Sequence, residues 1–201
     1  TGGNNGKGLG LPLLLPHGLM RFLEVLNFNQ LHYELWYDIL NMGFRVAPTA
    51  GTDYPCVSPP RLPGHERFYT KVNGPFTYEN WLQGVREGKT FVTTGPLLEF
   101  SINGKDIGTE ITLKDIGSIT IKGKVTFDPQ KDKIFGLEII ENGHVVRSFP
   151  RVNDSGEIIF TLKHRLEQTS WLALRTVDWP LHNVKQMHVS TAHSAPIYVT
   201  L

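Results

Sequence analysis

One cysteine, Cys56, in 201 residues excludes an internal disulfide and any cysteine-built metal cage. Charge of one sign is also lacking. Lys and Arg number 20 against 19 Asp and Glu, and they are scattered, so no basic stripe exists to track a phosphate backbone and nucleic acid is not expected as a partner. Long apolar runs are absent too. The best candidate, LGLPLLLP near the start, is broken by Pro12 and Pro16 and is far too short to cross a bilayer, so no membrane anchor is expected. Repeats, low-complexity tracts and heptads are missing. A chain of this length buries roughly 70% of its unfolded surface, enough for a core without staples. It begins with Thr1 in a TGGNNGKG run rather than with methionine, the expectation being a processed protein or a fragment.

Residues 22–27 (FLEVLN) read as a short buried strand. Residues 30–42 carry Leu31, Leu35, Trp36, Ile39 and Leu40 at helical spacing, with Asn29 as cap and Gly43 as stop. A strand at 44–47 follows, and strand, helix, strand is the order of a parallel α/β sheet, whose site lies at the carboxyl ends of its strands. The stretch GFRVAPTAGTDYP, 43–55, ends there in one carboxylate, Asp53, framed by small residues. Pro55, Pro59, Pro60 and Pro63 then forbid regular structure, which places Asp53 at the mouth of a loop.

Residues 67–72 are expected to be extended, and Thr77 to cap a helix with Tyr78, Trp81, Leu82 and Val85 on its core face, closed by Gly88. A boundary is placed at Gly95-Pro96, giving an α/β unit at 1–95 and an all-β unit at 96–201. In the second unit Asn103-Gly104 and Asn142-Gly143 mark hairpins, and about seven or eight strands at sandwich spacing follow, with Trp171 as a core aromatic.

Asp53 offers the anionic oxygen that a divalent ion needs, or else it caps its own turn. Glu24 interrupts a strand that should be apolar throughout, which places it near the site or in a pair with Arg21 or Arg45. His65 offers a nitrogen ligand or a proton shuttle, against an ordinary loop histidine. Arg67 offers an anion contact, against pairing with Glu66 in solvent. His182, His188 and His193 fit no metal spacing and are read as structural, His193 through a backbone hydrogen bond at the entry to the last strand. Ser190, His193 and Asp178 do not form a triad, because no nucleophile elbow is present. The glycines before residue 10 have neither the spacing nor the preceding strand of a phosphate loop.

The runs WYDILNMGFRVAPTAGTDYP, PGHERFYTKV and TYENWLQGVREGKTFVTTGPLLEFSINGKDIG resemble the carbaryl-hydrolase-like (CehA/McbA) family of metallohydrolases, within the polymerase and histidinol phosphatase (PHP) superfamily. ENGHVV, SWLALR and AHSAPIYV are similar to that family's carboxyl-terminal β domain. The resemblance implies a fold class of α/β followed by all-β, namely the last strands and helices of a PHP-type β/α barrel and a carboxyl-terminal Ig-like β-sandwich. It implies divalent metal (zinc, manganese or iron) held in part by Asp53, and hydrolysis of an ester, carbamate or phosphoester in a small-molecule substrate. Pro55 stands where much of the superfamily has a histidine, and the His-x-His motif would precede Thr1, so the chain alone is expected to be catalytically incompetent. The resemblance leans toward a secreted or periplasmic protein. Two other readings stand beside it: a non-catalytic β-sandwich binding carbohydrate or protein, and a fragment whose open sheet edge pairs with a second copy or with the upstream segment.

Overall fold

The apolar run FLEVLN becomes the inner strand of a parallel pair. The computed structural model describes residues 10–28, 30–56, 62–177 and 190–201. A short helix, α1 (Leu11–Leu14), leads into β1 (Phe22–Asn27); β2 (Gln30–Leu31) folds back on it, α2 (Glu34–Asn41) crosses over, and β3 (Ala47–Ala50) returns parallel to β1. Two bounds differ from the sequence expectation. α2 starts later because Gln30 and Leu31 pair with β1; Tyr33 holds the N-cap position, and Asn29 lies outside the described residues. Leu35 is 49% exposed, while Tyr37 joins Trp36, Ile39 and Leu40 in the core. β3 also starts later. Gly43, at φ +87°, ends α2, and the Phe44 N–H still bonds the Ile39 carbonyl, so residue 44 belongs to the helix end.

β4 (Arg67–Thr70), α3 (Tyr78–Arg86) and β5 (Thr90–Thr93) follow. Thr77 caps α3 as expected, its Oγ1 accepting from the Asn80 N–H at 3.2 Å. The expected core face of α3 is corrected at Tyr78, which is 68% exposed; Val85 is buried, and Trp81 and Leu82 are half-buried, with the Trp81 ring centroid 5.9 Å from that of Phe68. The helix sits on β4 through Gly84, where a Cβ would come within 2.6 Å of the Lys71 carbonyl.

Among the described residues beyond Pro96 the regular elements are strands: β6 (Leu97–Ile102), β7 (Lys105–Asp106), β8 (Glu110–Thr112), β9 (Gly117–Thr126), β10 (Gly136–Glu141) and β11 (His144–Pro150). β12 (Glu157–Leu166), β13 (Ser170–Val177), β14 (Ala192–Ser194) and β15 (Ile197–Thr200) complete the chain. The chain is therefore β-rich with several sheets. Both Asn-Gly pairs turn hairpins with left-handed backbone, φ +50° and +76° at Asn103 and Gly104, and +48° and +89° at Asn142 and Gly143.

One sheet has the order β12-β9-β6-β7; an eight-stranded sheet runs β11-β10-β13-β14-β5-β4, with β15 on β13 and β8 on β15. Their facing sides enclose a core that includes Phe100, Ile121, Val125, Ile139, Leu172 and Leu174. The other side of the eight-stranded sheet is covered by α2 and the β1–β3 pair, whose core joins Trp36, Ile39 and Val25 to Ile140, Trp171 and Ala173. β13 thus faces two cores, which is why residues 170–174 are buried without alternation. Trp171 is corrected accordingly. It packs in the second core, with its indole N–H donating to Asn41 Oδ1 at 2.8 Å, rather than between the two sheets.

Gly123 interrupts the alternation of β9 for a steric reason. Its partners across the two neighbouring strands are Phe100 and Phe160, and a Cβ there would lie 2.4 Å from the Phe160 ring. Phe160 stacks in turn on Phe149, with ring centroids 3.9 Å apart.

Hydrogen bonds cross the expected division between 95 and 96. β5 pairs with β14 from Thr93↔Ala192 to Phe91↔Ser194, and β4 extends the same sheet. Tyr37 and His193, 156 positions apart, meet at 2.5 Å. The His193 Nδ1–H donates to the Ser194 carbonyl at 2.8 Å, so Nε2 accepts from the Tyr37 hydroxyl. Burial, aided by the nearby Arg175 charge, pushes the His193 pKa down to about 3, so the ring is neutral. Arg175 is held by Glu138 at 2.8 Å and lies over the Tyr33 ring.

Candidate functional site

A carboxylate in an otherwise apolar parallel strand needs a reason, and Glu24 has one in the local geometry of β1. Glu24 pairs with Thr49 and Leu26 with Ala50, so Val25 is an extra residue, a bulge. In a regular strand residues three apart point to opposite faces; one extra residue restores them to the same side. Asn27 therefore reaches Glu24, its Nδ2 donating to Oε1 at 2.5 Å. The same amide nitrogen makes a long contact of 3.4 Å to Asp53 Oδ2. Glu24, midway along β1, and Asp53, three residues past β3, thus share the amide of Asn27 at the carboxyl end of β1, the end at which ligands bind in open parallel sheets.

The small residues before Asp53 have an identifiable use. A Cβ on Gly51 would lie 2.5 Å from Glu24 Oε2, so glycine leaves the space that the carboxylate occupies. Asp53 adopts left-handed backbone at φ +53°, which aspartate tolerates better than most residues. The turn that follows is closed by the Asp53 carbonyl, which accepts from the Cys56 N–H at 2.7 Å. Its carboxylate does not cap that turn but faces Asn27.

Glu24 and Asp53 are both exposed to solvent, and among the described residues no cation compensates their charge. Arg45, one suggested partner for Glu24, pairs with Glu110 at 2.8 Å, and among the described residues neither Glu24 nor Asp53 has a cationic partner. Asn27 is only 7% exposed, and its Oδ1 has no hydrogen-bond partner among the described residues. A buried acceptor left unbonded costs on the order of 1–3 kcal/mol, which is the usual mark of a position meant for a ligand or a water. Two carboxylates and an amide oxygen are the hard oxygen donors a divalent cation takes. They make part of a site: no group of three or more His, Cys, Asp or Glu able to hold a metal occurs among the described residues.

The structure brings together two of the four residues proposed from sequence, Glu24 and Asp53. Arg67 is engaged elsewhere, its guanidinium donating to the carbonyls of Gly64, His65, Thr94 and Gly95 and to the Tyr69 hydroxyl at 3.0–3.4 Å. That ties the loop before β4 to the end of β5 and leaves little of Arg67 for a substrate anion. His65 is half-buried in the same loop and does not complete a three-ligand group with Glu24 and Asp53. Ser190 donates to Asp132 Oδ1 at 2.9 Å, while Asp178, His182 and His188 lie outside the described residues. Asn27 is the residue that sequence reasoning missed. Its signal was present: an amide closing an apolar strand, three residues after the out-of-place Glu24.

Comparison with protein-family models, with curated proteins and with solved structures gives no match to this chain.

Proposed function

We propose that this chain is the carboxyl-terminal portion of a metal-dependent hydrolase similar to the carbaryl-hydrolase-like family. In this reading β1, α2 and β3 are the last βαβ unit of a PHP-type barrel, and the strands beyond Pro96 build an Ig-like sandwich beside it. The observation that carries the reading is the Glu24–Asn27–Asp53 cluster, two carboxylates with no cationic partner among the described residues around a buried amide whose oxygen has no partner among them either.

A divalent ion held by such a cluster would supply a Lewis acid and a bound water acidic enough to ionise near neutral pH, giving the hydroxide that attacks an ester, carbamate or phosphoester. The chain's part is to present the donors. Asp53 would contribute a short side chain with little rotamer freedom to lose, Glu24 is seated against Gly51, and Asn27 holds both carboxylates in register. Catalytic zinc sites carry histidine or cysteine ligands, and this cluster contains neither, so on this reading it needs further ligands and does not turn over substrate by itself.

The test is manganese and zinc binding to the tag-free chain by equilibrium dialysis with elemental analysis. Binding lost in Asp53→Ala and weakened in Glu24→Gln and in Gly51→Ala, which displaces the Glu24 carboxylate, supports the site. Binding indifferent to all three, or absent from the parent chain, overturns it. Metal-stimulated turnover by this chain that vanishes in Asp53→Ala would refute the need for further ligands.

One observation favours a second reading, a non-catalytic sandwich that binds carbohydrate. A groove of about 470 Å³ opens between the sheets where Tyr69 stacks on Phe91, centroids 5.1 Å apart, with Lys122 and Asp106 on its walls. Saccharide binding that is insensitive to chelator and lost in Tyr69→Ala would support it.

A further inference from the structure

At the amino end of β3, away from the carboxylate cluster, a second cavity of about 410 Å³ is lined by Arg21, Arg45, Arg86 and Lys89 together with Glu87 and Glu110. Four cationic residues and two carboxylate residues border it in a chain whose whole net charge is +1, so the excess of positive charge is local. Arg45 is taken by Glu110 at 2.8 Å and lies over the Tyr198 ring at 4.6 Å; Lys89 is paired with Glu87. Arg21 and Arg86 have no carboxylate partner among the described residues. Arg86 alone has a local explanation, since a cation in the last turn of α3 complements the helix carbonyls. Arg21 lies exposed at the entry to β1, outside any helix end.

The cavity is built rather than incidental. The Ala47 N–H donates to the Arg21 carbonyl at 2.9 Å, and the Gly108 N–H to the Pro196 carbonyl at 2.9 Å, which fixes the backbone on two sides. The walls are small: Ala47, Ala195, Gly88 and Gly108, with the two glycines so close that a Cβ on Gly108 would lie 2.5 Å from the Glu87 carbonyl. Space, rigid backbone and two arginines without counter-ions are what a compact oxyanion needs, because the planar guanidinium fork matches a tetrahedral oxyanion in two hydrogen bonds.

We infer that this cavity is a binding site for a compact multivalent oxyanion of the phosphoryl class, held by Arg21 and Arg86, with Arg45 positioned by Tyr198 at its rim. It is independent of the hydrolase reading. The site lies at the opposite end of β3 from Asp53 and requires no metal.

Inorganic pyrophosphate titrated into the chain by calorimetry at low salt tests the inference, with sulfate at matched ionic strength as comparison and Arg21→Gln, Arg86→Gln and Lys163→Gln as variants. Saturable one-to-one binding is expected, weakened about tenfold or more by each arginine change, as for loss of one charge-assisted hydrogen bond, and unchanged by Lys163→Gln, exposed on β12 of the far sheet. No saturable binding, binding indifferent to both arginine changes, or equal weakening by Lys163→Gln, which marks diffuse attraction only, each overturns it. Should Arg21→Gln fail to fold, Arg86→Gln, on an exposed helix turn, keeps the test intact.

Discussion

Acid should weaken this fold through one residue, and the size of the effect follows from His193. Its side chain is fully buried between Trp36 and Tyr37, its ring is held neutral at a pKa of about 3, and the neighbouring Arg175 charge opposes protonation. In the unfolded chain the same group titrates near its ordinary 6.5. The folded value lies below the unfolded one, so between these two values the unfolded state binds more protons. The stabilisation is therefore complete above about pH 6.5 and is lost as pH falls toward 3. At about 1.4 kcal/mol per pH unit in that window, lowering pH from 7 to 5 costs about 2 kcal/mol from this group. For a chain of this size that is roughly 4–8 °C in Tm. The assay is urea unfolding at several pH values for the parent and for His193→Gln, which keeps a donor and an acceptor but does not titrate. The variant should start less stable and lose about 2 kcal/mol less over the same interval. Parallel pH dependences in the two proteins would refute the reasoning.

Tyr37→Phe removes the donor to His193 Nε2 and leaves a buried acceptor, so a loss of about 1–3 kcal/mol is expected in the same unfolding assay. Gly123→Ala drives a methyl into the Phe160 ring and should cost about 1–3 kcal/mol, with partial recovery in Gly123→Ala/Phe160→Leu; calorimetric melts of the three proteins check this. Thr77→Ala removes the cap of α3 and should cost about 1 kcal/mol, mostly restored by Thr77→Ser.

What the sequence made legible was local. FLEVLN is β1 to the residue because an apolar run between turn signals admits one reading, and Thr77 and the two Asn-Gly pairs behave as their side-chain and backbone chemistry requires. The parallel order of β1, α2 and β3, and Asp53 past its end, also follow from spacing. What escaped depends on distant partners. β8 and β14 have only three residues each and exist because β15 and the β5–β13 gap offer hydrogen bonds. Trp171 was assigned to one core because periodicity does not say on which side of a sheet a second layer will settle. The meeting of Glu24 with Asn27 rests on the bulge at Val25, and a bulge is set by the pairing of β1 with β3 rather than by β1 itself.

β13 gives the molecule its mode of unfolding. Leu172 and Leu174 belong to one core and Trp171 and Ala173 to the other, so stripping either layer leaves half of the buried run 170–174 facing water. The two layers then cannot melt in turn, since the free energy of each is entered through the same peptide units. The chain should unfold in a single cooperative step, with the slowest amide exchange in β13, and a piece beginning at Pro96 would carry Trp171, Ala173 and Ile140 bare and lack the β5 partner of β14.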